Sequence, residues 1–244
     1  MLTSKEYVKK LQKECEPLFQ FAENGVRAFF EKDPSKEELL NYFIPRMVGE
    51  RGNCVGVAKR IVKMADDTRP EEMWMYAKQV LDEAKHFRLG VEIVEHINEG
   101  PIDLEAEIKK IKARNAASDK ALTPSQLMDK YESSDDPLAQ AIYGFVGEGR
   151  ATRNWSMIAK TAKDPFLAKR YLEIAKDEKF HANIGRRKLE ELCTTQEIQD
   201  RADKLAREFM DDLYTMGLAK RLKNKPELAD ANGCVKGHYP LSAM

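Results

Sequence analysis

Apolar residues recur every three or four positions along most of this chain, which is the spacing of amphipathic helices. Two of these apolar seams each contain one glutamate, Glu50 in the first and Glu148 in the second. The first seam comprises Phe43, Met47, Glu50, Cys54, Val57, Ile61 and Met64, and the second comprises Ala141, Phe145, Glu148, Thr152, Trp155 and Ala159. Because an unpaired buried carboxylate is costly, each seam predicts a cation beside its glutamate.

Proline, glycine and capping signals divide the chain into helices with no strand between them. The predicted helices span about 4–31, 35–65, 70–98, 137–163, 165–192 and 195–222, and Pro45 predicts a kink or break in the second. A crossover over 102–136 contains a possible short helix at 124–131, and the tail from about 224 to 244 is predicted to be irregular. The pattern indicates an all-α protein with one domain over 1–244. Its four-helix bundle core covers about 35–192, and the terminal helices are additional.

An internal repeat supports two helix pairs. Asp82-Glu83-x-x-His86 recurs 95 residues later as Asp177-Glu178-x-x-His181. Prolines, tyrosines and glycines keep the same register, namely Pro70 and Pro165, Tyr76 and Tyr171, and Gly90 and Gly185. The two prolines fit first helical turns, with Asp164 as a cap for the later one. Each pair therefore contributes one lone glutamate and one Glu-x-x-His motif.

These residues are candidate metal ligands. Residues three apart share a helix face, so a glutamate and a histidine at that interval can bind one cation together. Two lone glutamates and two Glu-x-x-His pairs form the ligand set of a dinuclear carboxylate site in a helical bundle. The predicted ligands are Glu50, Glu83, His86, Glu148, Glu178 and His181. Oxygen and imidazole donors favour two irons, with manganese or a mixed manganese–iron pair also possible.

Composition narrows the other possibilities. Lys and Arg together number 41, as do Asp and Glu, so the charge balance indicates neither nucleic-acid binding nor a preference for acidic surfaces. No apolar run is long enough to cross a membrane, and no secretion signal is predicted. The four cysteines are scattered without a Cys-x-x-Cys motif, which predicts reduced thiols in a cytoplasmic protein.

Several further positions have two open interpretations. Asp82 and Asp177 either hydrogen-bond the ligand histidines or lie on a solvated face. Thr152 and Cys54 follow the lone glutamates by one turn and should face the same cavity, although Thr152 can instead bond its own backbone. Tyr76 and Tyr171 either relay electrons or fill the core. Arg51 and Arg150 either pair with buried carboxylates or lie at the rim, whereas Trp155 is predicted in the core, Gly90 and Gly185 at close-packing positions, and His96 and His238 at surface or packing positions.

The two Asp-Glu-x-x-His motifs resemble those of the ferritin-like di-iron carboxylate superfamily. The chain is most similar to the phenylacetyl-CoA epoxidase type and to rubrerythrin-like oxygenase subunits, through Asp82-Glu83-Ala84-Lys85-His86 and Lys176-Asp177-Glu178-Lys179-Phe180-His181. The resemblance implies a ferritin-like bundle in which the six ligands hold two irons. It also implies that Asp82 and Asp177 hydrogen-bond the ligand histidines and that the Thr152 hydroxyl lies near the oxygen-binding side.

The resemblance also implies an activity. It predicts an O2-activating di-iron oxygenase or oxidase that hydroxylates, epoxidises or similarly oxidises a small organic substrate. The chain has no flavin, ferredoxin or nicotinamide motif, so electrons would come from a separate reductase or ferredoxin, and a homo- or hetero-oligomer is expected. A rubrerythrin-like peroxidase and a ferritin-like ferroxidase or iron store are the alternatives on the same ligand set.

Overall fold

The computed structural model describes residues 1–64, 68–116 and 122–224, and all regular elements within these ranges are helical. The prediction of an all-α protein is confirmed. The helices are α1 (Ser4–Glu31), α2 (Lys36–Met64), α3 (Pro70–Asn98), α4 (Leu104–Ala116), α5 (Pro124–Tyr131), α6 (Pro137–Ile142), a π-helical turn (Tyr143–Gly147), α7 (Glu148–Thr161), α8 (Pro165–Leu192) and α9 (Gln196–Asn224).

The helix starts follow the predicted capping chemistry. Pro70 and Pro165 both occupy the first turn, where their missing N–H leaves no hydrogen bond unmade. The Asp164 carboxylate accepts a hydrogen bond from the Phe166 backbone N–H at 2.7 Å, which confirms the predicted cap of α8. Local sequence therefore fixes where the two motif-bearing helices begin.

Two local features differ from the sequence predictions. A break at Pro45 is wrong, because α2 continues through it, held by buried Phe43 and Met47 on the same face. Helix α4 was not predicted within the crossover, although Leu104, Ile108 and Ile111 have a helical apolar spacing. Residues 65–67, the tail from 225 and His238 lie outside the described residues.

The helix predicted over 137–163 is divided by the π-helical turn at Tyr143–Gly147. This turn is packed against α8 so closely that a Cβ on Gly185 would lie 2.2 Å from the Phe145 backbone nitrogen. Single π turns inside helices often occur at functional sites. Here the turn directly precedes Glu148, so it sets the rotation at which that side chain enters the bundle.

The bundle is built from two helix pairs. Helix α2 packs along α3, α7 packs along α8, and α3 also contacts α8. Helix α1 lies mainly along α7, while α9 packs against α1 and α6. Two large apolar clusters stabilise these contacts, one among α1, α6 and α9 and the other among α2, α3, α7 and α8. The prediction that the last helix lies outside the two motif-bearing pairs agrees with these contacts.

The structure bears on two predictions, namely that no segment crosses a membrane and that the thiols are reduced. None of the described helices is both long and apolar enough to cross a bilayer. Cys15, Cys54 and Cys193 are free thiols, and Cys15 and Cys193 are buried.

Candidate metal centre

The six predicted ligands meet in the interior between the two helix pairs. Helix α2 provides Glu50, α3 provides Glu83 and His86, α7 provides Glu148, and α8 provides Glu178 and His181. All six side chains are buried, and Glu83 and His86 have no exposed surface at all. Because the bundle core is otherwise apolar, this concentration of ionisable groups calls for a compensating charge.

The ligand atoms form two overlapping groups. One comprises Glu50, Glu83, His86 and Glu178, the other comprises Glu83, Glu148, Glu178 and His181, and within each group the donor atoms lie within 4.8 Å of one another. Glu83 and Glu178 belong to both groups, whereas each lone glutamate and each histidine belongs to one. The cluster can hold a metal ion, and its two shared carboxylates lie where the groups meet.

The unpaired atoms at the centre are those that metal ions use. Both carboxylate oxygens of Glu83, Oε2 of Glu178 and Nδ1 of His86 and His181 are buried without a hydrogen-bond partner among the described residues. Each Nδ1 does lie 3.2–3.7 Å from glutamate oxygens, but without the geometry of a hydrogen bond. Buried polar atoms nearly always have a hydrogen-bond partner, so these unpaired oxygen and nitrogen atoms fit the ligand atoms of a bound cation.

Each histidine is oriented by the aspartate of the opposite repeat. His86 Nε2 lies 3.2 Å from the Asp177 carboxylate, and His181 Nε2 lies 3.2 Å from the Asp82 carboxylate. The prediction that these aspartates contact the ligand histidines is confirmed, and the solvated-face alternative is wrong. Holding Nε2–H in this way leaves Nδ1 of each ring as the free donor toward the centre.

A lysine contacts each of these aspartates from outside. Lys78 Nζ donates to Asp82 at 2.5 Å from one turn earlier in the same helix. Lys85 reaches across from α3 to Asp177 on α8. Burial opposes ionisation of Asp177, but its hydrogen bonds to His86 and Lys85 outweigh it and lower its pKa to about 2. Both aspartates are therefore anionic partners for the imidazoles.

Protons at the centre are distributed unevenly. Burial opposes the charge on His86, yet its hydrogen bond to Asp177 and the adjacent carboxylates of Glu178 and Glu83 raise its pKa to about 12. Burial likewise opposes ionisation of Glu178, and its contacts with His181 and His86 reverse the effect and lower its pKa. Glu178 and the two rings thus form a charged cluster in the absence of metal.

The two lone glutamates behave in the opposite way. Burial, followed by repulsion from Glu83 and Glu178, raises the pKa of both Glu50 and Glu148 well above the usual value. Without a cation, both therefore favour the protonated form more than an ordinary glutamate does. Metal binding requires the carboxylate forms, so it should release protons.

Three neutral side chains support the carboxylates and were not predicted to do so. Asn53 donates to Glu50 at 3.3 Å, Gln79 donates to Glu148 at 3.3 Å, and the Trp155 indole N–H lies 3.4 Å from Glu178. Trp155 is buried in the core as predicted. Asn53 follows Glu50 by three residues and Gln79 precedes Glu83 by four, so the spacing carried a signal that was overlooked.

Most other predicted positions contribute packing. The Thr152 hydroxyl donates to the Glu148 backbone carbonyl at 2.8 Å, as in its backbone alternative, and the Cys54 thiol lies 3.7 Å from the Val80 carbonyl oxygen. Tyr76 and Tyr171 are both buried, and Tyr171 packs on Phe43 and Trp155. The structure therefore places the tyrosines in the core.

The structure also locates the glycine, arginine and histidine positions considered from the sequence. A Cβ on Gly90 would lie 3.1 Å from Met47 Cβ, so Gly90 and Gly185 are both close-packing positions as predicted. Arg51 is exposed at the rim. Arg150 is half-buried, and its Nε has no hydrogen-bond partner among the described residues. Burial lowers the pKa of its guanidinium group. His96 lies at the surface and pairs with Asp164 at 2.7 Å, as expected for a packing histidine.

The fold and centre together define an all-helical, bundle-like protein with a buried Glu/His cluster that can bind metal. Comparison with family models, curated proteins and solved structures finds no match to this chain. The case for a function therefore depends on the geometry and on the ligand chemistry.

Proposed function

We propose that this protein is a ferritin-like di-iron oxygenase or oxidase that uses O2 to oxidise a small organic substrate. The observation that carries the proposal is the pair of overlapping ligand groups that share Glu83 and Glu178. Two cations held by these shared carboxylates would lie close together, as two-metal sites require. Two helix pairs joined by one long crossover also agree with a ferritin-like bundle.

The residues have distinct expected roles. Nδ1 of His86 and of His181 would each bind one ion, with the ring held by Asp177 or Asp82. Glu83 and Glu178 would bridge the ions, and Glu50 and Glu148 would each bind one of them. Two ferrous ions supply the electrons for a two-electron reduction of O2, and manganese or a mixed manganese–iron pair accepts the same donors.

The protein environment supports redox chemistry by shielding the site from bulk water. The six ligands are buried among apolar helices, and the Trp155 indole contacts Glu178. A site shielded from bulk water strengthens electrostatic interactions and protects reactive species from side reactions. Sustained turnover needs further electrons, so the proposal includes a separate reductase or a ferredoxin-type donor as partner.

The test is an anaerobic Fe(II) titration followed by stopped-flow mixing with O2. We expect two irons per chain and a transient absorbance whose decay accelerates with particular organic compounds. Glu148→Ala should lose iron or reactivity while its helical spectrum persists, and Glu190→Ala, which removes a carboxylate paired with Arg186 and absent from both ligand groups, serves as the matched control. Normal iron content and reactivity in Glu148→Ala would contradict the assignment.

The same measurement separates the alternatives. Rapid oxidation without a transient, followed by uptake of many more irons per chain, would indicate iron storage. Peroxide consumption with an added electron donor, unaffected by organic compounds, would indicate a rubrerythrin-like peroxidase. Acceleration by an organic compound is specific to the oxygenase or oxidase.

A further inference from the structure

A small cavity lies beside the metal centre, where the crossover meets the bundle. Its lining includes Arg60, Tyr76, Gln79, Glu132, His181 and Lys188. The space open to the centre of a water molecule is about 10 Å³. A polar cavity of roughly this size holds one water if two to four polar groups point into it.

Glu132 is the unusual residue of this cavity. It is only 2% exposed, and its Oε2 is buried without a hydrogen-bond partner among the described residues. It does not belong to either ligand group of the centre. A buried carboxylate without a partner is costly, so its presence requires an explanation outside the metal ligand set.

Arg60 faces the same cavity and is also incompletely satisfied. One guanidinium nitrogen donates to the Tyr76 hydroxyl at 2.5 Å, but the buried Nε has no hydrogen-bond partner among the residues described. Glu132 and Arg60 attract one another without a direct ion pair of bonding length in the described part of the chain. A bridging water would satisfy Oε2 of Glu132 and Nε of Arg60 together.

The cavity is lined both by residues of the centre and by a partly exposed lysine. His181 and Gln79, whose amide donates to the ligand Glu148, contribute to its lining. Lys188, which is 19% exposed and forms an ion pair with Glu72, also lines it. Glu132 therefore shares one cavity with a solvent-contacting ion pair and with a ligand histidine.

The chain makes room for this arrangement at Gly56. A Cβ at that position would lie 2.5 Å from the Met128 sulfur and 3.5 Å from Glu132 Oε2. The absent side chain lets the end of α5 approach α2. The crossover can thus insert Glu132 beside the centre.

The environment also suits proton exchange. Burial raises the pKa of Glu132 to about 8, with Arg60 partly opposing the shift. Groups facing Glu132 come from every neighbouring element, namely Arg60 on α2, Tyr76 on α3, Tyr143 in the π-helical turn and His181 and Lys188 on α8. A carboxyl that hydrogen-bonds a water molecule can both accept and release protons through it.

We propose that this cavity holds a buried water and that Glu132 passes protons through it between solvent and the metal centre. The proposal rests on the proposed function, because oxidation of a substrate RH by O2 to ROH and H2O consumes two protons and two electrons. The electrons come from the protein donor named above. The Glu132 O–H donates its proton to the water, which passes one of its own protons inward, and the resulting carboxylate is reprotonated from the Lys188 edge.

The first test does not depend on O2 chemistry. A high-resolution crystal structure should show water within hydrogen-bond distance of Glu132 and Arg60. The infrared spectrum at neutral pH should contain a buried carboxylic-acid C=O band that shifts in D2O and disappears in Glu132→Gln. A dry cavity, or an infrared spectrum unchanged by Glu132→Gln, would overturn the proposal.

The second test measures the reaction of the Fe(II)-loaded protein with O2. Glu132→Gln should retain the wild-type iron content but slow the proton-dependent phase by about tenfold or more. Glu132→Asp, which keeps an acid, should recover most of the rate. Glu92→Gln, which removes a carboxylate that pairs with Arg170 and does not line the cavity, should react like wild type.

The outcomes separate the two proposals. If wild type binds no iron or does not react with O2, the oxygenase proposal fails, and proton delivery to that reaction fails with it. A reactive wild type together with an equally fast Glu132→Gln overturns only the role of Glu132. Loss of iron from Glu132→Gln also overturns it, because Glu132 would then belong to the metal-binding set.

Discussion

The two halves of the centre have the same ligands but different surroundings. In each half, a lone glutamate and a Glu-x-x-His motif enter the core from paired helices. Helix α2 carries Glu50 without interruption, whereas a π-helical turn precedes Glu148. Asp82 is held by a lysine of its own helix, whereas Asp177 is held by a lysine from the other pair. The candidate ligands thus repeat between the two halves, whereas the contacts that support them differ.

This difference indicates which features the geometry constrains. A ligand must reach a cation at a fixed distance from a fixed helix face, so the Glu-x-x-His spacing is the same in both repeats. The charge behind an aspartate can arrive from any nearby helix, and the turn before a glutamate can take several forms. We therefore expect equivalent ligand substitutions to have equal effects in the two halves, and substitutions at packing contacts that differ, such as those of the π-helical turn, to have unequal ones.

The largest effect should come from the shared ligands. Glu178→Gln removes a carboxylate from both ligand groups, so it should abolish binding of both ions, whereas Glu50→Gln should remove only one. Metal per chain, measured after dialysis against Fe(II) or Mn(II), checks this. Equal residual metal in the two variants would contradict the assignment of Glu178 as a bridge.

The metal-free protein should lose stability as pH rises above 4.5, the ordinary pKa of a glutamate side chain. Glu50 and Glu148 have raised pKa values in the folded protein. Folding therefore retains protons that these glutamates release in the unfolded chain above pH 4.5. Each such proton contributes a slope of about 1.4 kcal/mol per pH unit. The raised pKa of His86 acts in the same direction above 6.5.

Urea unfolding at a series of pH values measures this slope. Glu50→Gln and Glu148→Gln should each reduce it by a similar amount, because the interior of the centre repeats. Added Mn(II) should reverse the trend, since metal binding requires deprotonated ligands. A flat profile for the metal-free wild type would show that the lone glutamates are ionised.

The paired glycines should differ. A Cβ at Gly185 would meet backbone atoms of the π-helical turn at 2.2 and 2.4 Å, whereas one at Gly90 would approach Met47 at 3.1 Å or more. Gly185→Ala should therefore destabilise the fold by about 3 kcal/mol and Gly90→Ala by about 1 kcal/mol, as estimated for overpacked cores. Thermal unfolding of both variants measures the two losses of stability, and equal losses would contradict the expected difference between the two glycines.

A further effect, on metal affinity alone, is expected at the supporting aspartates. Asp177→Asn and Asp82→Asn keep the side-chain shape but weaken the hold on His86 and His181, which typically lowers metal affinity 10–100-fold. Competition titration with a chelator measures the affinity. Asp164→Asn, which affects only the surface His96 pair and a helix cap, is the control. Unchanged affinity in both test variants would show that the aspartates do not support the ligands.

Much of the centre could be predicted because its determinants are local. Helical periodicity identified the faces of Glu50 and Glu148, and the spacing of Glu83 from His86 and of Glu178 from His181 identified paired donors. The capping role of Asp164 is likewise a property of adjacent residues. Local sequence does not decide the backbone conformation where alternative conformations have similar energies, as at Pro45 and in the π-helical turn before Glu148.

By itself, the sequence determined the helical class, the register of the repeat and the six candidate ligands, because each depends on the rise and rotation of single helices. Only the tertiary structure decided that Asp82 and Asp177 cross to the opposite repeat and that Glu83 and Glu178 belong to both ligand groups. It also placed Glu132, from the crossover, beside the centre. These features depend on the offset and rotation of one helix relative to another, which arise when distant segments pack together.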